Sequence, residues 1–282
     1  MYPNRLYLTG YLLHLQGRSH VLAAEQRFDH ATTRTINGLD LNDAEQLALL
    51  AQFNYRDELL AIPQHASDPR SFAYDNGAFG VGDAEYFYNM IRHLKPKKII
   101  EVGCGQSTLL AQLAIGANRQ DDPSYVCNYI CVEPFEQPWL EQIGVTVLRK
   151  RIEKIDPCIV DGLEQNDIFF IDSSHVIRPQ GDVLHEYLNL VGRLKPGVLV
   201  HVHDIFTPYD YHEQWIADER RLWNEQYLLE AFLCFNKSFR IIGALNYLWR
   251  TYPDRMTRAC PVLSAGDRAQ APGSFWFTRI ET

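Results

Sequence analysis

No apolar run in the 282-residue chain approaches the roughly 20 residues that a membrane-spanning helix requires, so nothing in it reads as a bilayer segment. The N-terminal stretch YLTGYLLHL is short, carries His14 and lacks a small-residue cleavage site, which makes it a poor signal peptide. A soluble, cytoplasmic protein is therefore expected. Basic charge is scarce too: 27 Lys and Arg against 35 Asp and Glu leave a formal charge of -8. That balance argues against unspecific nucleic-acid binding, which needs a broad basic face to neutralise phosphates. The expected partner is a small molecule, and the sequence is equally compatible with a monomer or a homo-oligomer. Cysteines are few and scattered, at Cys104, Cys127, Cys131, Cys158, Cys234 and Cys260. Cys127 and Cys131 have no second pair at zinc-finger spacing, so free, buried thiols in a reducing compartment are expected. Nor does any repeat, low-complexity tract or flexible linker divide the chain.

What the chain does have is apolar material, 46% hydrophobic residues with 12% aromatics, enough for a sizeable core. The most informative stretch runs from Pro96 to Leu113, PKKIIEVGCGQSTLLAQL. Ile99, Ile100 and Val102 read as one buried strand. Gly103 and Gly105 then permit a tight strand-to-helix turn with close backbone approach to a ligand, and Ser107 and Thr108 can cap the following helix. A GxG turn alone is weak evidence, since many doubly wound sheets have one. Two features sharpen it: Glu101 lies in the strand just ahead of the glycines, and Thr108 stands where a dinucleotide fingerprint has its third glycine.

An acidic residue followed by a GxG turn resembles the first motif of the class I S-adenosylmethionine-dependent methyltransferases. The resemblance implies a Rossmann-like α/β fold, a mostly parallel seven-stranded sheet with helices on both faces and an antiparallel last strand. It also implies that Glu101, Gly103, Gly105, Ser107 and Thr108 bind S-adenosyl-L-methionine. A ribose-binding acid is expected at the end of the second strand, where YVCNYICVEPF places Glu133. A carboxylate there can accept both ribose hydroxyls.

Taken in order, residues 1–80 are expected to form a partly helical extension able to cap the site, and residues 81–282 the catalytic domain. LNDAEQLALLAQF has helical spacing, with Asn42 or Asp43 as N-cap. Asp83 is the expected N-cap of a helix through about Leu94, and Arg92 to Lys98 reads as a solvated basic helix end. Tyr74, Phe79 and Tyr86 read as core, with closure over a cofactor as the alternative. VTVLR and NDIFFIDSSH supply two more strands, GDVLHEYLNLVGRL a helix with an apolar stripe, and VLVHVHDIF a fifth strand. RLWNEQYLLEAFLCF then reads as a helix, and SFRIIGAL and SFWFTRI as the last strands. Ligands of such sheets bind beyond the carboxyl ends of the strands.

At those ends stand Asp172, His175, His203 and Asp204. Adjacent parallel strands lie about 4.8 Å apart, so Asp172, His203 and Asp204 could share one divalent cation. His175 could lie beside it and take a proton from a substrate hydroxyl. His201 is expected to point opposite to His203, and His185 and His212 read as surface or packing residues. Any single histidine here is more often scaffold than ligand, whereas the combination favours a functional cluster. DSSH…HVHDIF also resembles a metal-dependent branch of the same enzymes, related to macrolide sugar O-methyltransferases and cephalosporin biosynthesis proteins. That branch implies a metal on Asp172, His203 and Asp204, a further cofactor contact at Asp172, and His175 as catalytic base. His203 stands where the branch has a carboxylate, and imidazole shifts the expected metal from magnesium toward manganese, iron or zinc. Two other readings stay open at this point, an NAD-dependent oxidoreductase and a non-catalytic protein retaining the fold.

Overall fold

A computed structural model describes residues 32–135, 137–263 and 271–280, so the expectations for residues 1–31 lie outside the described residues. Two units emerge: Thr35–Pro208 with Trp223–Thr282, and residues 209–222 with the described part of 1–34. Among its described residues the smaller unit has one short helix, Glu213–Ala217, and the Arg221 guanidinium lies 4.2 Å from the centre of the Trp215 ring.

In the larger unit, helices α1 (Asp43–Leu50), α2 (Arg56–Ala61) and α3 (Asp83–Leu94) lead into strand β1 (Lys98–Val102). Then come α4 (Gln106–Asp121), β2 (Asn128–Val132), β3 (Thr146–Leu148), β4 (Ile168–Ile171), α5 (Asp182–His185) and β5 (Leu199–Val202). The chain closes with α6 (Glu225–Leu233), β6 (Phe239–Ala244), α7 (Leu245–Thr251), α8 (Pro253–Ala259) and β7 (Phe275–Arg279). The seven strands form one sheet in the order β3-β2-β1-β4-β5-β7-β6. Only β7 runs antiparallel to its neighbours, as expected.

Strand residues alternate between two apolar layers. Ile99, Ile168 and Phe170 face the layer built with α3 and α4, while Ile100, Val102, Phe169 and Ile171 face the opposite one. Because both faces are covered, β4 is buried throughout and reads in sequence as an unbroken apolar run. Tyr74, Phe79 and Tyr86 all belong to this core, at 4% exposure or less. Residues 35–80, assigned above to an extension, pack within the sheet-bearing unit: Gln46 of α1 accepts the Ala244 N–H at the end of β6.

Local readings change in four places. Arg92 is buried, its guanidinium donating to Glu58, Asp121 and Asn118, and so is no solvated helix end. Asp83 does not cap α3; its carboxylate accepts the Gly273 and Ser274 N–H groups just ahead of β7. The helix after DSSH is α for one turn, then widens to a π turn over Glu186–Leu190, which turns Leu188 out to solvent. Asn42 precedes α1 without a side-chain cap. All six cysteines are free; four are buried as expected, while Cys158 is exposed and Cys234 only partly buried. No described helix is long and apolar enough to cross a membrane.

Arg92→Ala leaves Glu58 and Asp121 without their shared partner beneath α3. A loss of about 2 kcal/mol is expected in chemical denaturation, larger than an exposed ion pair contributes.

Candidate active site

Four predicted site residues are each the first residue beyond a strand: Glu133 after β2, Gly103 after β1, Asp172 after β4 and His203 after β5. The strand registers align Val132, Val102, Ile171 and Val202, so the four stand in one row along the carboxyl edge. The ladder continues through them: Gly103 N–H donates to Val132 O at 3.1 Å, Asp172 N–H to Val102 O at 2.9 Å and His203 N–H to Ile171 O at 3.0 Å.

Gly103 has φ +80°, and a Cβ added to it would lie 1.8 Å from the Asp172 carbonyl oxygen. No other residue fits there. Above Gly105, by contrast, a Cβ would meet nothing closer than 3.9 Å, so the loop backbone is open on that side. Glu133 accepts the N–H groups of Cys104 and Phe135, which aims its carboxylate at the loop. Gly103, Glu133, Phe135, Arg151, Asp172 and Asp182 help line a cleft of about 530 Å³. Asp172 thus joins the cleft to the histidine cluster.

Glu101, Ser107 and Thr108 sit differently from the expectation of direct cofactor contact. Glu101 is fully buried, and its carboxylate accepts the hydroxyls of Ser107, Thr108 and Tyr129. Thr108 also accepts the Gly105 N–H at 3.1 Å. These side chains brace the glycine loop from beneath, because Glu101 follows the strand's alternation toward α4. Burial raises the Glu101 carboxyl from its ordinary 4.5 to about 7 despite the three hydroxyl donors.

At the other end of the row, Asp172, His203 and Asp204 bring one ligand atom each to within 4.8 Å of one another. His203 Nδ1 lies 3.6 Å from Asp172 Oδ1 and 3.7 Å from Asp204 Oδ2. Its Nε2 faces Asp83 Oδ2 at 3.4 Å, and the Phe79 ring packs 5.1 Å away. His175 Nε2 lies 3.3 Å from Asp172 and 3.5 Å from Asp204, outside the mutually close set. Both imidazoles are buried, which penalises their charge, yet the surrounding carboxylates raise them well above the usual histidine range. Burial likewise opposes the Asp172 anion, but His203 and His175 outweigh it and hold that carboxyl well below its usual range. Asp204 moves upward, chiefly through burial. His175 and Asp204 both have left-handed backbone, at φ +57° and +58°.

His201 lies on the same side as His203 rather than opposite to it, because residues two apart on a strand share a face; its ring, stacked between Phe170 and Trp276 with Nε2 bonded to Ser274, is 6.5 Å from the His203 ring, and Phe79 packs against both. Two residues of the cluster carried no sequence signal of function: Asp83, which reads as a helix cap, and Glu225, which bonds His175 Nδ1 at 2.9 Å and reads as an ordinary helical glutamate.

Residues 100–205 match the family model described as a methyltransferase domain, the span from β1 to just beyond β5. A protein of Archaeoglobus fulgidus with uncharacterised function is 26% identical over 152 residues, 51% of this chain and 66% of its own length. Among solved structures, an O-methyltransferase from Bacillus cereus in complex with SAH aligns at 10% identity and TM-score 0.40, covering 84% of this chain and 91% of that one. A provisionally named methyltransferase from Thermobifida fusca aligns at 14% identity and TM-score 0.45, covering 87% and 96%. Neither structure carries the assignment. The match covers the segment from β1 to just beyond β5, and the sheet order is that of a mostly parallel, Rossmann-like α/β fold.

Glu101→Gln mimics the protonated acid. In the folded wild type the carboxyl titrates near 7 and in the unfolded chain near 4.5, so its stabilisation is complete below 4.5 and is lost as pH rises through 7. Relative to Glu101→Gln, wild type should lose about 3 kcal/mol between pH 4.5 and 8, read by denaturant melts across pH.

Proposed function

We propose that the protein is an S-adenosylmethionine-dependent O-methyltransferase that activates a hydroxyl of a small molecule, sugar or natural product with the help of a divalent cation. The observation that carries this is the double placement of Asp172, on the cleft wall beside Gly103 and Glu133 and within the cation-sized set with His203 and Asp204. The cleft fits the cofactor: its volume suits a nucleoside-sized ligand, Gly103 gives it a wall without a side chain, and Glu133 can accept hydroxyls from a ribose. The donor set fits a cation as well, two carboxylates and one imidazole, a mixture that favours manganese or iron over magnesium.

When bound, S-adenosylmethionine supplies an electrophilic methyl group, and the cation lowers the pKa of a nearby hydroxyl. The chain's own part is positional. Gly103 and Gly105 let the loop approach the cofactor, Glu133 orients its ribose, and Asp172, His203 and Asp204 hold the cation beside the cleft. His175 Nε2 faces the same carboxylates and would accept the hydroxyl proton when the charges of Asp172 and Asp204 are committed to the cation rather than to the imidazole. The resemblance to the sugar and natural-product branch supports this class of acceptor.

Metal-stripped protein should bind S-adenosylmethionine and S-adenosylhomocysteine near micromolar affinity in calorimetry. Glu133→Ala should weaken both at least about tenfold, the loss of a charge-assisted hydrogen bond. Absence of binding to either nucleoside overturns the assignment. Titration with magnesium, manganese and iron(II) should give a heat that Asp204→Ala abolishes; without that heat the cation site is wrong. His175→Ala should keep cofactor and cation binding but lose methyl transfer from labelled cofactor to a panel of hydroxylated acceptors.

A further inference from the structure

His175 is held from behind as well as from the front. Glu225, the first residue of α6, is fully buried. Its Oε2 lies 2.9 Å from His175 Nδ1, and its Oε1 accepts the Tyr187 hydroxyl at 3.0 Å. The backbone is tied in the same place, since the N–H groups of Asn224 and Glu225 both donate to the His175 carbonyl, at 3.0 and 3.2 Å. Asn224 Oδ1 accepts the Ile177 N–H, and the Trp223 ring lies 4.4 Å from the imidazole. Four contacts from one short segment thus converge on a residue about 50 positions earlier, whose backbone is left-handed without being glycine. A helix start held only for packing would not need to grip both the carbonyl and one ring nitrogen of a single histidine.

We propose that Glu225, seated by Tyr187, is the positioning residue for His175: it keeps the proton on Nδ1 and turns Nε2 toward Asp172 and Asp204. A ring nitrogen bound to a buried carboxylate selects the tautomer and orientation of the other nitrogen. The imidazole cannot rotate without breaking that bond, nor leave without breaking the two backbone bonds. Glu225 itself touches neither the cleft nor the cation-sized set. The inference rests on the assignment of His175 as proton acceptor, but its physical content, control of one ring nitrogen, is measurable without a substrate.

The test uses full-length protein with 15N-labelled histidine, loaded with S-adenosylhomocysteine and magnesium. Wild type should show a slowly exchanging, downfield Nδ1 proton that is absent in His175→Ala. In Glu225→Gln, where an amide oxygen still accepts, it should persist but move upfield. In the double variant Glu225→Leu, Tyr187→Phe, which removes the carboxylate and its hydroxyl partner together to spare the fold, it should vanish into exchange with solvent. Tyr187→Phe alone, the mildest change, should speed that exchange. With the acceptor found in the panel, Glu225→Gln should lower kcat about 10- to 100-fold with KM within about twofold, and Glu225→Asp should restore part of it. An unchanged Nδ1 resonance across the variants, or wild-type kcat in Glu225→Gln when His175→Ala is inactive, overturns the proposal. If His175→Ala stays active, it is the proton-acceptor assignment that fails, and the Nδ1 resonance alone decides whether Glu225 holds the ring.

Discussion

Gly103 and Asp172 approach so closely that no side chain can stand between them, and the site depends on that contact. It comes from parallel pairing of β1 with β4, extended one residue past both strands by the Asp172 amide. With the backbone fixed there, the Asp172 carbonyl lies over the glycine turn while its carboxylate lies between His175 and His203. A slip of one residue in this register would reverse which side chains face each layer and scatter the row. Glycine loop and acid cluster are therefore one construction, held by backbone bonds that no surface substitution reaches.

Around the cluster, acids outnumber imidazoles. Asp83, Asp172, Asp204 and Glu225 surround two histidines, with a fifth acid, Glu186, close to Glu225. Burial and the Glu225 charge raise Glu186 well above its usual range. Buried acids are costly unless they are paired or coordinate a cation, so a surplus of them beside an open cleft is hard to explain by stability alone. Each histidine presents one nitrogen to Asp172 and Asp204 and the other to a carboxylate from a separate helix, Asp83 for His203 and Glu225 for His175. Outer carboxylates of this kind fix the orientation of imidazoles at metal sites.

The sheet was legible because its strands are covered on both faces: IIEV, NDIFFI and VLVHV announce buried strands by composition alone. Glu133, Asp172 and His203 could be placed because each follows such a run directly, with Asp204 next after His203. What the sequence concealed was the direction and company of side chains. Glu101 shares a motif with the glycines, yet it faces α4 and spends its carboxylate on Ser107, Thr108 and Tyr129. Arg92 sits in a basic run, but its partners Glu58 and Asp121 lie 34 and 29 residues away, out of reach of local patterning. Asp83 and Glu225 were hidden by ordinariness, since an acid in a helix's first turn already has a sufficient explanation in the helix dipole.

His175 and Asp204 carry a consequence of another kind. Both adopt left-handed backbone, which costs an L-residue about 1 kcal/mol and glycine almost nothing. The two positions are thus places where the chain would be more comfortable with a residue that cannot do chemistry. Variants selected for thermal endurance alone would drift toward glycine there and arrive at a sturdier, silent fold. If His175 and Asp204 act as proposed, lineages that keep them at these positions record selection for turnover rather than for stability.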